Sequence, residues 1–231
     1  LPASFDPRRV PVLACDAHLP PVPVQQFNAD QWRRWFAEPP LWEPEWRAEP
    51  PWGDAPPRPA AVLVPIVWRE QPMVLLTERS AHLPTHAAQV AFPGGKLDAR
   101  DGGDPVRCAL REAAEEVGLA PAWVEALGTL PRYRTGSGFD ITPVVGLVWP
   151  QGPWQPDPHE VADVFEVPLA FLMDPRHHRH HEVQWAHTRR HWLSMPYDDG
   201  GMQRFIWGAT AAMLRNLYRF LSAATAAMMR P

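Results

Sequence analysis

The stretch Phe92–Leu119, FPGGKLDARDGGDPVRCALREAAEEVGL, is the part of the sequence that decides the fold. It begins with a glycine-rich loop and continues into a segment with the spacing of a short helix. Asp104 is a favourable N-cap residue, and Pro105 suits the first helical turn. Gly118 is a natural stop, because glycine readily adopts the left-handed conformation that ends many helices. The stretch therefore predicts a loop followed by a helix between Asp104 and Gly118.

The two faces of this predicted helix differ in chemistry. Apolar residues recur at helical spacing and form one stripe, which consists of Val106, Ala109, Leu110, Ala113 and Val117. At ~100° per residue, Glu112, Glu115 and Glu116 fall on the opposite face, within an arc of about 100°. We therefore expect one face to pack on a core and the other to present three carboxylates.

Clustered carboxylates of this kind favour a cation site. Like charges at i,i+3 and i,i+4 destabilise an isolated helix by roughly 0.2–0.5 kcal/mol per pair, and a cation between them reverses that sign. Oxygen ligands of this hardness suit Mg²⁺ or Mn²⁺. The alternative is a solvated acidic helix face, which is common. The preceding Gly94-Gly95 pair, the cap and the stop favour the metal site over that alternative.

Gly95, Asp101 and the run Arg111–Leu119, REAAEEVGL, resemble the Nudix box. That pattern is a Gly, five residues, a Glu, seven residues, and then Arg-Glu-apolar-any-Glu-Glu-any-Gly-apolar. The second half of the pattern matches at every fixed position. In the first half Asp101 replaces the Glu, and nine residues rather than seven separate it from Arg111, so the loop is longer than the common pattern.

The resemblance implies an α/β fold, a Nudix-like α/β/α sandwich with a mixed sheet. It also implies a set of metal-binding oxygens, from Glu112, Glu115, Glu116 and the Gly95 carbonyl. Arg111 would hold the box carboxylates and loop carbonyls through charge-assisted hydrogen bonds. Glu160, in a downstream loop, would complete the metal shell or act as the base, and a solvated loop glutamate is the alternative.

The upstream run Leu75–Gly95, LLTERSAHLPTHAAQVAFPGG, resembles the signature of the coenzyme A pyrophosphatase family within the Nudix superfamily. Pro84 stands where that signature has a second arginine, and Ala88 where it has a glycine. The similarity continues in downstream segments and covers about residues 58–221. It implies that Arg79, Gly94 and Gly95 bind substrate, with Arg79 gripping a phosphate; a surface arginine is the alternative.

The function that this resemblance implies is divalent-metal-dependent hydrolysis of a nucleoside diphosphate derivative. Cleavage of the diphosphate of coenzyme A, or of a thioester of it, would give adenosine 3′,5′-bisphosphate and 4′-phosphopantetheine. Two alternatives stay open. One is a Nudix hydrolase of another substrate, such as ADP-ribose, a dinucleoside polyphosphate or an oxidised nucleotide. The other is a non-catalytic ligand-binding regulator, which the intact RExxEE run disfavours because a pure binder has no need of three clustered acids.

Composition limits the partners. The chain has 231 residues, 45% of them hydrophobic, and a net charge of −4, which gives no bulk electrostatic reason to bind nucleic acid or an anionic membrane. No apolar run approaches the ~18 residues of a membrane span. Cys15 and Cys108 form no disulfide framework and no zinc pattern, and reduced thiols are typical of a cytoplasmic protein. The expected partner is a small nucleotide, with a homodimer left open.

The sequence divides into an arm and a domain. Residues 1–59 are rich in proline and tryptophan, which predicts an arm that wraps onto a domain surface and holds one short helix over Asn28–Glu38. The Nudix domain is expected over residues 60–231. Its predicted strands are 60–68, 73–79, 127–133, 141–148 and 161–167, with a hairpin over 182–187 and 191–195. Short helices are predicted at 121–127 and 168–173.

The longest helical pattern is Trp207–Met229, with Leu214, Leu217, Tyr218 and Leu221 as its buried stripe. Arg215, Asn216 and Arg219 are predicted to face water. The histidine cluster 177–181, HHRHH, suggests zinc, but its spacing fits no standard site and no cysteine accompanies it. We interpret it as an exposed or substrate-facing loop.

Overall fold

The computed structural model describes residues 5–82, 88–185 and 188–228. In chain order its strands and helices are β1 (Ala14–Cys15), α1 (Ala29–Ala37), β2 (Arg58–Val67), β3 (Met73–Arg79), β4 (Val90–Ala91), β5 (Gly94–Lys96), α2 (Pro105–Val117), β6 (Val124–Thr129), β7 (Tyr133–Arg134), β8 (Phe139–Val148), β9 (Val161–Pro168), α3 (Leu169–Leu172), β10 (Arg179–Trp185), β11 (Thr188–Asp199), β12 (Met202–Trp207) and α4 (Gly208–Met228). Pro84, His86 and His187 lie outside the described residues.

Eight of these strands form one mixed sheet. Its main path runs β4-β3-β2-β8-β6, while β5 pairs with β2, β7 with β8 and β9 with β3. Strands β2 and β8 are parallel, from the pair Arg58 and Phe139 to the pair Val67 and Val148. The other pairings in this sheet are antiparallel. The expected α/β fold with a mixed sheet is confirmed.

The two faces of this sheet are covered by different elements. Successive side chains of a strand point to opposite faces. On β2, Leu63 joins the apolar cluster of α2, whereas Val64 and Ile66 join the larger cluster that contains α4. The same alternation separates Leu75 from Leu76 on β3. Helix α2 therefore covers one face, and α4 covers the other together with a second sheet of order β1-β10-β11-β12.

Helix α2 begins and ends where its sequence predicts. The Asp104 carboxylate accepts a hydrogen bond from Val106 N at 2.8 Å, and Gly118 ends the helix in the left-handed conformation with φ 68°. Ala109, Ala113 and Val117 are fully buried against the sheet. Leu110, also expected to be buried, is only half-buried, because the small alanines rather than the leucine occupy the closest approach to the sheet.

The N-terminal arm packs into the larger core. Asn28 and Gln31 form a reciprocal capping box that starts α1, and Trp32 and Trp35 of that helix are buried in the cluster shared with α4. Strand β1 pairs with β10 and so belongs to the second sheet. We propose that the described part of the arm, residues 5–59, is an integral layer of the domain, since removing it would delete these tryptophans and expose the core residues that they cover.

Three local expectations are wrong, and one strand was not predicted. The helix expected over 121–127 is a single 3-10 turn over Pro121–Trp123, after which the chain enters β6. The strand that was not predicted is β12, in which a buried position is held by a charged residue, Arg204. On α4, Arg215 and Asn216 are 3% and 1% exposed rather than facing water. The histidine cluster is not an exposed loop, since His178 and His181 are buried.

The burial of these polar groups has a physical cause. Arg215 Nη1 lies 2.9 Å from the Asp16 carboxylate, and its Nε donates to Glu45 at 2.8 Å. Asn216 exchanges hydrogen bonds with the backbone of Trp46. All three partners belong to the arm, so charge pairing with a distant segment overrides the local pattern. Within the described parts of the chain, no helix is both long enough and apolar enough to cross a membrane.

Candidate active site

The glycine-rich loop and α2 meet at a close backbone approach. Strand β5 pairs with the start of β2, with Gly94 opposite Val62 and Gly95 opposite Ala61. Gly94 N donates to Glu116 Oε2 at 3.1 Å. A β-carbon built on Gly95 would lie 2.4 Å from Cδ of Glu112. The missing side chain of Gly95 therefore lets the Glu112 carboxylate lie directly on the loop, while Glu116 is held there by the backbone N–H of Gly94.

Arg111 connects the loop to helix α2 through hydrogen bonds. Its guanidinium donates to both carboxylate oxygens of Asp101, at 2.8 and 2.9 Å, and its Nη1 donates to Glu112 at 2.8 Å and Glu115 at 2.9 Å. It also reaches the Lys96 carbonyl at 3.4 Å. Arg111 thus fixes two box carboxylates relative to the loop, with bidentate geometry toward Asp101.

Asp101 has a structural position that its sequence context did not reveal. A 3-10 turn, Ala99–Asp101, is capped by Asp98 and places the Asp101 side chain under Arg111. Asp101 is 2% exposed. The Arg111 guanidinium holds the pKa of this carboxyl far below its usual range. The turn that ends at Asp101, rather than the longer segment that follows it, therefore positions this carboxylate.

Glu116 is the most deeply placed of the box acids. Its side chain is 5% exposed, and Arg79 Nη1 lies 3.7 Å from its Oε1. Burial raises the pKa of Glu116 to about 7, against the opposing effects of the Gly94 N–H and Arg79, and the charges of Glu112 and Glu160 raise it further. Burial also raises the pKa of Glu112. Negative charge is thus concentrated where little water remains to stabilise it.

Glu160 belongs to a loop that packs against the end of α2. Asp157 N donates to the Glu116 carbonyl at 2.9 Å, and Ser80 N donates to the Glu160 carbonyl at 2.9 Å. Glu160 itself is exposed, and its charge acts on both Glu112 and Glu116. The loop thereby places the Glu160 carboxylate beside those of Glu112 and Glu116.

Arg79 ends β3 at the same place. Among the described residues its buried Nε has no hydrogen-bond partner, so one guanidinium N–H is left for a ligand oxygen. Its backbone is held by Gln89 and Ala88, which accept from Arg79 N and donate to its carbonyl. Ala88 has φ 54°, the left-handed region that favours glycine. The backbone there keeps the conformation that a glycine would take, although the residue is alanine.

The structure places the expected metal-binding acids at different depths. Glu112 and Glu116 lie against Gly95 and Gly94, whereas Glu115 is half-exposed. Glu115 shares Nη1 of Arg111 with Glu112 and also pairs with Arg100. Within residues 5–82, 88–185 and 188–228, no three acid, imidazole or thiol side chains are assembled as a ready-made metal site. The donor chemistry nevertheless fits a hard divalent cation. Burial disfavours the ionised forms of Glu112 and Glu116, and such an ion would stabilise them.

Comparisons with known proteins identify the family. The family model described as the NUDIX domain matches residues 57–196. Two similar relatives are uncharacterized Nudix hydrolases named NudL, from Salmonella newport and Salmonella enteritidis PT4. Each is 46% identical over 161 residues, which cover 69% of this chain and 81% of the relative.

Solved structures with a similar backbone include the C. elegans Ap4A hydrolase in a binary complex, which is 22% identical with a TM-score of 0.41 and covers 51% of this chain and 85% of its own. A MutT/nudix family protein from Enterococcus faecalis is 15% identical with a TM-score of 0.44, covering 86% of this chain and 71% of its own. The family model spans the loop, α2, Arg79 and Glu160, and together with the relatives it shows that the chain belongs to the Nudix hydrolase family.

Proposed function

We propose that this Nudix hydrolase, which acts on a nucleoside diphosphate derivative, cleaves the diphosphate of coenzyme A or of one of its derivatives. The products are adenosine 3′,5′-bisphosphate and 4′-phosphopantetheine. The proposal places the enzyme where thiols remain reduced, as in the cytoplasm, since Cys15 and Cys108 are both free. Its partner is a small nucleotide.

One observation carries the proposal. Arg79, which comes from the coenzyme A pyrophosphatase-like signature, lies 3.7 Å from Glu116, which comes from the Nudix box. The two patterns therefore converge on one site. Among the described residues the buried Nε–H of Arg79 has no acceptor, which supports a phosphate-binding role, because such a donor costs free energy that a phosphate oxygen would recover.

Nudix hydrolases generally use divalent metal ions. In this chain we propose that Mg²⁺ or Mn²⁺ is held by Glu112, Glu116 and the Gly95 carbonyl, with Glu115 at the margin of the site. When bound, the ion would neutralise the diphosphate and lower the pKa of a water molecule.

The protein side chains supply position and proton transfer. Arg79 orients a phosphate through its free N–H, and Arg111 keeps Glu112 and Glu115 fixed on α2. Glu160 is the proposed proton acceptor, because it is exposed beside the buried acids and needs no rearrangement to meet water. Most of the rate enhancement then comes from positioning and charge neutralisation.

The experiment is a hydrolysis screen with Mg²⁺, Mn²⁺ or EDTA, in which products are identified by mass. The substrates are coenzyme A, acetyl-coenzyme A, ADP-ribose and a dinucleoside polyphosphate. Adenosine 3′,5′-bisphosphate is the expected product from the first two, only with metal. If ADP-ribose is cleaved and coenzyme A stays intact, the coenzyme A proposal is wrong. If every substrate binds and none is cleaved, the chain is a ligand-binding module instead.

A further inference from the structure

Arg204 is a buried arginine outside the box, on β12, and outside the range of the family match. It is 4% exposed. Its guanidinium donates to Glu78 at 2.9 Å, to Asp163, and to Asp199 at 3.2 Å, and it lies 4.2 Å from the ring centroid of Phe165. One buried cation therefore joins three carboxylates from three different strands.

Two of these carboxylates face each other across the sheet. Glu78 on β3 is directly opposite Asp163 on β9. Like charges in directly opposed positions destabilise a strand pair. Arg204 donates to both, so it converts a repulsive pair into a bridged one. The pairing of β3 with β9 at this point therefore depends on a residue contributed by the second sheet.

The same point is where the strand pairing changes register. After the pair Glu78 and Asp163, the next pair is Arg79 with Val161, so β9 has one extra residue there, a β-bulge. Bulges redirect the side chains that follow them and are frequent beside active sites. The residues that follow this bulge are Arg79 on one strand and Glu160 on the other, and both face the candidate site.

We propose that Arg204 is a positioning residue for diphosphate hydrolysis, which holds this bulge and thereby sets the placement of Arg79 and Glu160. Arg204 does not touch substrate, because its donors are taken by Glu78, Asp163 and Asp199. It lies on the side of the main sheet away from α2 and Glu116. The inference rests on the proposed function in one respect, namely that the site binds a nucleoside diphosphate derivative. It does not require that this derivative be coenzyme A. Asp199, the third acid, lies on β11 and leads to no site residue, which makes it a matched control.

The test is a double-mutant cycle on kcat/KM between Arg204→Met and Arg79→Met. Arg204→Met alone is expected to lower kcat/KM about 100-fold, the usual consequence of an ångström-scale misplacement. In the Arg79→Met background the same change should cost much less, because the group that it positions is already gone. Arg204→Lys should restore only part of the loss, since an ammonium lacks the guanidinium fork. Asp199→Asn should lower the melting midpoint and leave kcat/KM unchanged.

Additive losses in the cycle, or an Asp199→Asn loss as large as that of Arg204→Met, would overturn the positioning role and leave a purely structural one. The Kd of ADP is also measured by calorimetry for the four proteins of the cycle. The coupling between Arg204 and Arg79 can then be obtained even if no substrate is hydrolysed. A wild type that binds ADP but leaves coenzyme A intact contradicts the proposed function, and the coupling is then read from Kd. A wild type that neither hydrolyses coenzyme A nor binds ADP overturns both.

Discussion

Gly95 and Glu112 are packed so closely that no side chain can be placed between them. A β-carbon on Gly95 would lie 2.4 Å from Cδ of Glu112, whereas one on Gly94 would lie 2.5 Å from the backbone carbonyl of Ala61. The obstacle at Gly95 is the end of a side chain, and the obstacle at Gly94 is backbone. Neighbouring glycines therefore protect different features, the carboxylate in one case and the strand pairing in the other.

We predict that Gly95→Ala displaces the Glu112 carboxylate and lowers kcat, with only a small change in stability. Gly94→Ala should instead destabilise the fold by about 1–3 kcal/mol, because backbone must move. Urea unfolding and steady-state kinetics on both variants separate the two effects. Gly152→Ala, whose β-carbon meets its nearest neighbour at 3.5 Å, is the neutral control. A fully active Gly95→Ala variant would contradict the placement of Glu112.

The second prediction concerns Glu116 and catalysis. Glu116→Gln keeps the shape of the side chain but removes the charge that a divalent ion would bind, so we expect kcat/KM to fall about 100-fold or more. The folded state should persist, because Gly94 N can still donate to the amide oxygen. Glu125→Gln, in an exposed pair with Arg33, is the matched control. Hydrolysis by Glu116→Gln at the wild-type rate would rule out this role.

The third prediction concerns pH and the metal-free fold. The pKa of Glu116 is raised to about 7, above the ~4.3 of an unfolded chain, so the folded protein binds the extra proton between these values. The contribution of Glu116 to the free energy of unfolding is fully present below about pH 4.3 and is lost as pH rises through about 7. The loss amounts to at most roughly 3 kcal/mol. The contribution of this group should therefore make the urea midpoint in EDTA fall from pH 5 to pH 8, while the buried His178, whose pKa is lowered to about 4, opposes that fall below about pH 6.5.

Glu116→Gln should flatten that slope and be the more stable protein at pH 8 without metal. Some slope should remain, because burial raises the pKa of Glu112 in the same direction. Equal slopes for the variant and the wild type would show that Glu116 is not the group responsible. Adding Mg²⁺ or Mn²⁺ to the wild type at pH 8 should recover stability by binding the ionised form.

The fourth prediction concerns Asp101 and Arg111. Asp101→Ala should cost about 3 kcal/mol, because it removes a buried carboxylate and leaves the half-buried Arg111 guanidinium without its bidentate partner. The pKa of Asp101 is depressed, so its stabilisation is present above the unfolded value of ~3.9 and is lost only as pH falls through the lower folded value. Urea unfolding at pH 7 measures the cost. A loss no larger than that of Glu125→Gln would mean that the bridge is dispensable.

The fifth prediction concerns the underside of α2. Val117→Ala should cost about 2 kcal/mol, because Val117 is fully buried between α2 and the sheet. Leu110→Ala removes more atoms but is expected to cost less than the ~2–5 kcal/mol of a fully buried leucine, since Leu110 is half-buried. Melting midpoints of the two variants test the order. A far larger loss for Leu110→Ala would mean that the helix is rotated from the position described.

The local features of this protein can be predicted from its amino-acid sequence. Asp104 and Gly118 mark the ends of α2, and the box pattern on that helix indicates the family, because caps and helical periodicity depend only on neighbours in the chain. The run 73–79 was recognisable as a strand for the same reason. What these features share is that their physical cause lies within a few residues.

Tertiary structure alone decided the contacts between distant segments. The half-exposed position of Glu115, the burial of Asp101 under Arg111, and the bridge from Arg204 to β3 and β9 all depend on the fold. Arg215 is the clearest case, since its pattern on α4 predicts exposure and its acidic partners, Asp16 and Glu45, come from the arm, the nearer of them 170 residues away along the chain. A charged side chain is buried only where partners offset its desolvation, and only the folded chain brings those partners together.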